Sequence, residues 1–257
     1  MTSTAINSAV HRVISGMRAN LSQELTIDDM ARTAMFSKFH FTRVFREVTG
    51  TSPGRYLSAL RLQEAKRLLL ETEFTIADIS SQVGYSSVGT FSSRFKSCIG
   101  LSPSMFRQLR GLTTRIALDE QLSARLDAPV ASRPDLEGLV ALGPGREPGF
   151  CFLGLFPTPV PQGRPVRCAV LDGPGPFALP SLPVGEWHLL VHSVPYGRES
   201  APSGTDGADI VSVGRFGPLH IQPWSRLTPV TVRLRPLEVT DPPILMALKD
   251  LRVGALA

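Results

Sequence analysis

Two stretches of this chain, about 50 residues apart, repeat one another, and a repeat of that length restricts the fold more than any other feature. Thr26–Phe36 reads TIDDMARTAMF and Thr75–Tyr85 reads TIADISSQVGY. Further on, FTRVFREVTGTSPGRY (Phe41–Tyr56) pairs with FSSRFKSCIGLSPSMF (Phe91–Phe106). Each copy has an aromatic pair at i, i+4, then Gly, then Ser-Pro. The local chemistry is that of two helices joined by a tight turn. Thr26 and Thr75 each stand three residues before an Asp (Asp29, Asp78), a variant of the capping box. Leu25 with Met30, and Phe74 with Ile79, take the hydrophobic-staple positions. The second copy turns at Gly84, where the first has Ala34-Met35 instead. Ser37 and Ser86/Ser87 cap the following helix, which ends near Gly50 or Gly100. Ser52-Pro53 and Ser102-Pro103 start the next helix with proline at its first position. A long helix from Pro53 to about Glu71, with Leu57, Leu60, Ala65, Leu68 and Leu69 on its apolar stripe, is expected to hold the copies apart as a rigid spacer.

Paired helices could equally build a helical repeat protein, so the faces of the second helices decide. In 37–48, Phe41, Val44, Phe45 and Val48 share one stripe and must be buried. The opposite face presents Lys38, Phe39, His40, Thr42, Arg43, Arg46 and Glu47. An outward Phe39 fits a thymine methyl or sugar edge, Arg43 can fork onto guanine, and Thr42 can reach a base edge. Arg46 and Lys38 suit phosphates, with Ser37 as the cap. Singly, each residue reads as well as a solvated side chain; jointly, they describe a DNA-reading face. In 87–99, Phe91, Phe95, Cys98 and Ile99 point inward. The outer face holds Val88, Gly89, Ser92, Ser93, Lys96 and Ser97 after the Ser87 cap. It is nearly uncharged, so less base readout is expected, with Arg94, Lys96 and the helix N-terminus on phosphates and Val88 near a thymine methyl.

Charge agrees with this division. Residues 1–115 hold 15 Lys+Arg against 8 Asp+Glu, about +7, and the remainder 12 against 14, about −2, which sums to the net +5. Only the first half is therefore expected to meet a polyanion. Proline divides the chain in the same place: 2 of the 22 (Pro53, Pro103) precede residue 116. Dense proline suits β-edges and turns rather than packed helices.

The pattern resembles the AraC/XylS DNA-binding domain over about residues 5–111. The resemblance rests on the run from Ile76 to Ser87, on Phe91-x3-Phe95-Lys96, and on Gly100-x-Ser-Pro-x3-Phe-Arg107. It implies a seven-helix domain whose two helix-turn-helix units place recognition helices 37–48 and 87–99 in adjacent major-groove segments. Phe39, Thr42 and Arg43 align with base-contacting positions of the first unit; Val88, Gly89, Ser92 and Ser93 align with those of the second, without the polar and arginine residues often found there. The resemblance implies a transcription regulator with double-stranded DNA as its partner, and RNA polymerase and a small-molecule effector as further candidates. In many relatives a sensor domain precedes the DNA-binding domain; here the extra domain follows.

A linker with some helical pattern (Thr113–Leu126, within 112–134) leads to a β-rich half, 135–257. Its candidate strands are Leu136–Leu142, Gly149–Phe156, Pro165–Leu171, Glu186–Val194, Gly217–Ile221 and Val230–Arg235, with a weaker one near Ile210–Val213. Turn clusters at Gly143–Gly149, Asp172–Pro176 and Leu182–Glu186 separate them. The expectation is an antiparallel β-sandwich, and Phe177–Leu190 resembles a turn of transthyretin-like or carboxypeptidase-regulatory-like sandwiches. Trp187 and Trp224 are expected in the core. His188, His192 and His220 are read as structural rather than as metal ligands. Cys98, Cys151 and Cys168 read as buried thiols, with a Cys151–Cys168 redox pair as the alternative. The Gly143–Gly149 cluster reads as a turn, no nucleophile–base pair stands out, and neither a cofactor nor a catalytic role is expected.

No apolar run reaches the ~20 residues of a membrane span, and the N-terminus lacks a signal layout, so a cytosolic protein is expected. The whole reads as a sequence-specific regulator whose β half senses a ligand, mediates dimerisation or touches another protein. The rival readings are an enzyme housed in the β half and an architectural protein with little sequence preference.

Overall fold

A computed structural model of the chain describes residues 3–111, 134–163, 165–197 and 211–245. The expected helical linker over Thr113–Leu126 lies outside the described residues. Seven helices occupy the first part: α1 (Ser3–Ala19), α2 (Ile27–Ala34), α3 (Lys38–Thr49), α4 (Pro53–Glu71), α5 (Ile76–Gln82), α6 (Val88–Ile99) and α7 (Pro103–Gln108). Their ends follow the repeated sequence. Thr26 and Thr75 each accept from the backbone of the Asp three residues on, whose carboxylate accepts in return from the cap. Ser37, Ser52, Ser87 and Ser102 cap α3, α4, α6 and α7 in the same manner. Gly50 and Gly100 end α3 and α6 in the left-handed conformation, at φ 76° and 94°.

The spacing of the aromatics sets the packing. Phe41 and Phe45 lie one turn apart on α3, their rings 5.5 Å apart, and Phe45 meets Tyr56 of α4 edge-on at 5.5 Å. The second copy repeats the stack: Phe91 to Phe95 at 5.6 Å, then Phe95 to Phe106 of α7 at 5.5 Å. Tyr56 and these five phenylalanines are all essentially inaccessible to solvent. Each stack thus clamps α3 or α6 onto the helix that follows it, and removing one ring costs about 3–5 kcal/mol. The core of the first unit is completed by Val10, Val13, Ile14 and Met17 of α1 and by Met30 of α2. α4 serves both units. Beyond the stripe read from sequence it buries Tyr56, Ala59 and Leu62, because it packs against α1 and α3 as well as α5 and α7.

A segment remote in sequence belongs to this helical unit. Glu238–Leu245 groups with residues 1–111, whereas the β strands form a second unit. The sequence reading placed 238–257 with the β half; the structure moves Glu238–Leu245 to the helices because α4 supplies its partners. The Tyr56 hydroxyl lies 2.5 Å from the Val239 carbonyl oxygen and 3.0 Å from that of Asp241. Lys66 reaches the Ile244 carbonyl at 3.5 Å, and Pro242, Pro243 and Leu245 are buried. Phe106, at the position of Tyr56 in the second copy, has no hydroxyl, so only the first copy can make this contact.

The second unit holds two sheets: β1 (Leu136–Ala141), β4 (Pro176–Leu179) and β7 (Val230–Arg233) in the order β4-β1-β7, and β2 (Gly149–Phe156), β3 (Arg167–Leu171), β5 (Gly185–Pro195), β6 (Ser212–Ile221) and β8 (Arg235–Pro236) in the order β3-β2-β5-β6-β8. Both contribute to one apolar cluster that includes Leu136, Val140, Leu153, Phe177, Leu189, Val191 and Val232. The expected all-antiparallel pairing is corrected at one place: β1 and β7 run parallel, with Leu139 opposite Thr231. β4, read from sequence as part of a turn region, is an edge strand, where the missing N–H of proline is tolerated. β6 unites two short candidates that its glycines had separated.

Trp187 fills the core as expected and donates from its indole N–H to the Pro183 carbonyl at 2.9 Å. Trp224 does not: it is 67% exposed at φ 70°, in a turn that Ser225 closes onto Gln222. Cys151 pairs with Leu171 and Cys168 with Gly154, which puts the two thiols on opposite faces of the sheet and rules out a bond between them. His188 and His192 share a strand and a face, while His220 lies across from Glu186, 3.5 Å from its carboxylate.

Burial of Tyr56 raises its pKa from the ordinary 10.0 to about 12, against the opposing pull of Arg18. The unfolded chain then loses this proton first, so stability falls by about 1.4 kcal/mol per pH unit as pH rises from the unfolded toward the folded pKa. Tyr56→Phe is expected to abolish that decline between pH 10 and 12. It should also cost about 1–2 kcal/mol at neutral pH and speed amide exchange across 239–245. Urea melts and hydrogen exchange check both; unchanged exchange would mean that the hydroxyl does not hold the segment.

Candidate nucleic-acid interface

The buried stripe of α3 decides what its other face shows. With Phe41, Val44 and Phe45 inward, Lys38, Phe39, Arg43, Arg46 and Glu47 are exposed, and His40 and Thr42 are half-buried. Phe39 is 89% exposed, far more than a helix would leave a ring that had an intramolecular role. Met35, in the turn before α3, is 82% exposed and left-handed at φ 61°. It takes the place of the second copy's glycine.

The polar groups of this face hold one another. Arg43 pairs with Glu47 at 2.7 Å and lies 3.3 Å from His40 Nδ1, whose ring stacks edge-on against Phe36 at 4.8 Å. Lys38 pairs with Asp28 of α2 at 3.0 Å. Thr42 donates its hydroxyl to the Lys38 carbonyl at 2.9 Å, which leaves its oxygen as an acceptor toward solvent. Arg46 makes no ion pair with another described residue. The sequence places Glu47 on this face without a partner and gives no sign of Asp28. The i, i+4 spacing of Arg43 and Glu47 was legible; the Lys38–Asp28 pair joins two helices and was not.

The second face is quieter. On α6, Val88, Gly89, Ser93, Arg94 and Lys96 are exposed and Ser92 is half-buried. Ser87 both caps the helix and donates to the Thr90 hydroxyl at 2.9 Å. Arg94 reaches back 3.5 Å to Ser58 on α4, so part of its reach is directed at the spacer helix rather than outward. Arg107, the last residue of the signature, faces inward: it donates to the carbonyls of Leu69, Thr72 and Phe74 and closes the end of α4.

A helix-turn-helix domain model matches residues 30–109. The transcriptional activator AarP of Providencia stuartii is 33% identical over 101 residues, which cover 39% of this chain and 75% of that protein. The chain belongs to the AraC/XylS family of transcription regulators. A second relative, the lactose operon transcription activator of Staphylococcus xylosus, is 30% identical over 102 residues, 40% of this chain but 37% of that protein. Among solved structures, a regulator of Chromobacterium violaceum with an AraC-type DNA-binding domain is 32% identical, covers 40% of this chain and 93% of its own, and has a TM-score of 0.39. The helix-turn-helix match falls within the helical unit, and the chain is a DNA-binding transcription regulator. Among the described residues no helix is long and apolar enough to cross a membrane.

An exposed pair such as Arg43–Glu47 contributes only about 0.3–0.5 kcal/mol. Glu47→Ala should therefore leave thermal stability nearly unchanged. Removing a carboxylate from this face should at the same time strengthen binding to random duplex by roughly threefold or more at low salt. Melting and salt-dependent binding curves check this; weaker binding to random duplex would show that Glu47 positions Arg43 rather than restraining it.

Proposed function

We propose that the protein regulates transcription by reading a two-part DNA site, with α3 supplying most of the base readout and α6 mainly shape and backbone contacts. The observation that carries this is the α3 face, where a fully exposed Phe39 stands among Lys38, Arg43 and Arg46. Arg43 exchanges Glu47 for guanine O6 and N7, an exchange favoured because a bidentate base contact is worth about 1–3 kcal/mol, more than the exposed ion pair it replaces. Thr42, its proton already given to a carbonyl, accepts from an adenine or cytosine amino group. Phe39 covers a thymine methyl or a sugar edge. Arg46 and Lys38 hold phosphates, Lys38 by leaving Asp28. On α6, Val88, Gly89, Ser92 and Ser93 face bases closely but with few hydrogen bonds, and Ser87, Arg94 and Lys96 serve the backbone.

The β unit, in this proposal, senses a small effector or mediates association, and promoter-bound protein meets RNA polymerase. Support is limited to a separate apolar core and an open depression of about 590 Å³ on the outer face of the three-stranded sheet, lined by Glu137, Leu139, Pro176, Ala178 and Thr231. The Phe177–Leu190 run, which spans β4 and the first half of β5, supports a transthyretin-like or carboxypeptidase-regulatory-like sandwich.

Selection from a random duplex pool with the purified chain tests the proposal. The expected winner is an asymmetric site of about two helical turns, bound at least ~10³-fold more tightly than random DNA at physiological salt. Arg43→Ala should lose about 1–3 kcal/mol on that site and relax one base position, with little loss on random duplex. Equal losses on both would reduce Arg43 to a phosphate contact, and no enrichment would favour an architectural role.

A further inference from the structure

The two copies of the repeat depart from one another at the turn, and the departure has a structural cause. The left-handed turn position holds exposed Met35 in the first unit and Gly84, at φ 82°, in the second. A Cβ on Gly84 would stand 2.8 Å from the Arg61 guanidinium and would collide with the Leu21 carbonyl oxygen. Leu21 lies in the loop between α1 and α2, so the turn of the second unit rests directly on the first. Arg61 of α4 fills the joint. Its Nε donates to the Leu21 carbonyl at 3.0 Å and its Nη2 to the Gln23 carbonyl at 2.7 Å. One turn earlier on α4, Ser58 meets the Tyr85 hydroxyl at 3.3 Å and Arg94 of the second recognition helix at 3.5 Å. A single spacer helix fixes a distance but leaves each unit free to pivot on its own packing. Two charge-assisted bonds and a backbone contact across the joint remove that freedom.

We propose that Arg61, seated against Gly84, is a positioning residue that sets the offset between the two recognition helices and so the spacing of the half-sites the protein accepts. This rests on the two-part reading proposed above. Rigid connection of two binding surfaces raises the effective concentration of the second once the first is bound, and a loose connection forfeits part of that gain. One base pair shifts a half-site by about 3.4 Å and roughly a tenth of a turn, so a fixed joint discriminates sharply between neighbouring spacings.

The test uses the full chain on duplexes carrying the selected site, the same halves one base pair closer or farther, and the first half alone. Wild type should show one strong spacing optimum. Arg61→Met and Gly84→Ala should each lose about tenfold or more at the optimum but less than about threefold on the isolated half, and should flatten the spacing profile. Arg61→Lys, which can reach one carbonyl but cannot fork, should fall between. Equal weakening of every duplex with the optimum intact would overturn the proposal and leave Arg61 a stabilising residue only. Spin labels at Thr33→Cys and Gln82→Cys, in a Cys168→Ser background, read the joint without DNA. Their distance distribution should be narrow in wild type and broad in Arg61→Met, and an unchanged distribution would likewise overturn it. Absence of any preferred duplex for wild type would count against the two-part reading, while the label distances still judge the joint.

Discussion

The clamp between each recognition helix and the helix after it rests on three aromatic rings. Phe41, Phe45 and Tyr56 in the first unit, and Phe91, Phe95 and Phe106 in the second, pack at nearly equal distances, edge-on in every pair but the tilted Phe91–Phe95. Rings at i and i+4 fix which face of α3 and α6 turns inward. Everything on the opposite face is then committed to solvent or to a partner. The exposure of Phe39 and Arg43 is a consequence of where Phe41 and Phe45 are buried. The face proposed to read DNA is therefore specified by the core beneath it.

Electrostatics on that surface is restrained by its own carboxylates. Arg43 and Lys38 are paired with Glu47 and Asp28, in bonds weak enough to exchange for a base or a phosphate. In the proposed reading such pairing orders long side chains before DNA arrives and lowers the attraction to a polyanion that offers charge alone. Among the described residues α6 has no counterpart to this arrangement. Its small side chains suit close approach, and its arginine leans toward α4.

Departures from the repeat are as informative as its matches. Tyr56 differs from Phe106 by one hydroxyl, and that hydroxyl engages Val239 and Asp241 in a segment that follows the β strands. Gly84 differs from Met35 because the Leu21 carbonyl occupies the space of a side chain. In each case a position equivalent by sequence has been adapted to a neighbour that only one copy possesses. Glu238–Leu245 thus groups with the helices although it follows the β strands in sequence.

Caps, turns, helix lengths and the inward faces of α3 and α6 were legible in the sequence. They depend on residues within a few positions of one another, and the repeat displayed each signal twice. The candidate contacts on α3 were legible for the same reason, since burying one stripe of a helix defines the other. What the tertiary structure alone decided involves partners distant in sequence. The return of Glu238–Leu245 to α4, the bonding of Arg61 to Leu21 and Gln23, and the parallel pairing of β1 with β7 all join groups at least 38 residues apart. Trp224 and β4 were misread because hydrophobic and proline content indicates a tendency to be buried or to turn. Whether a residue sits at a core, an edge or a turn is set by the strands packed beside it, and local pattern carries no record of those neighbours.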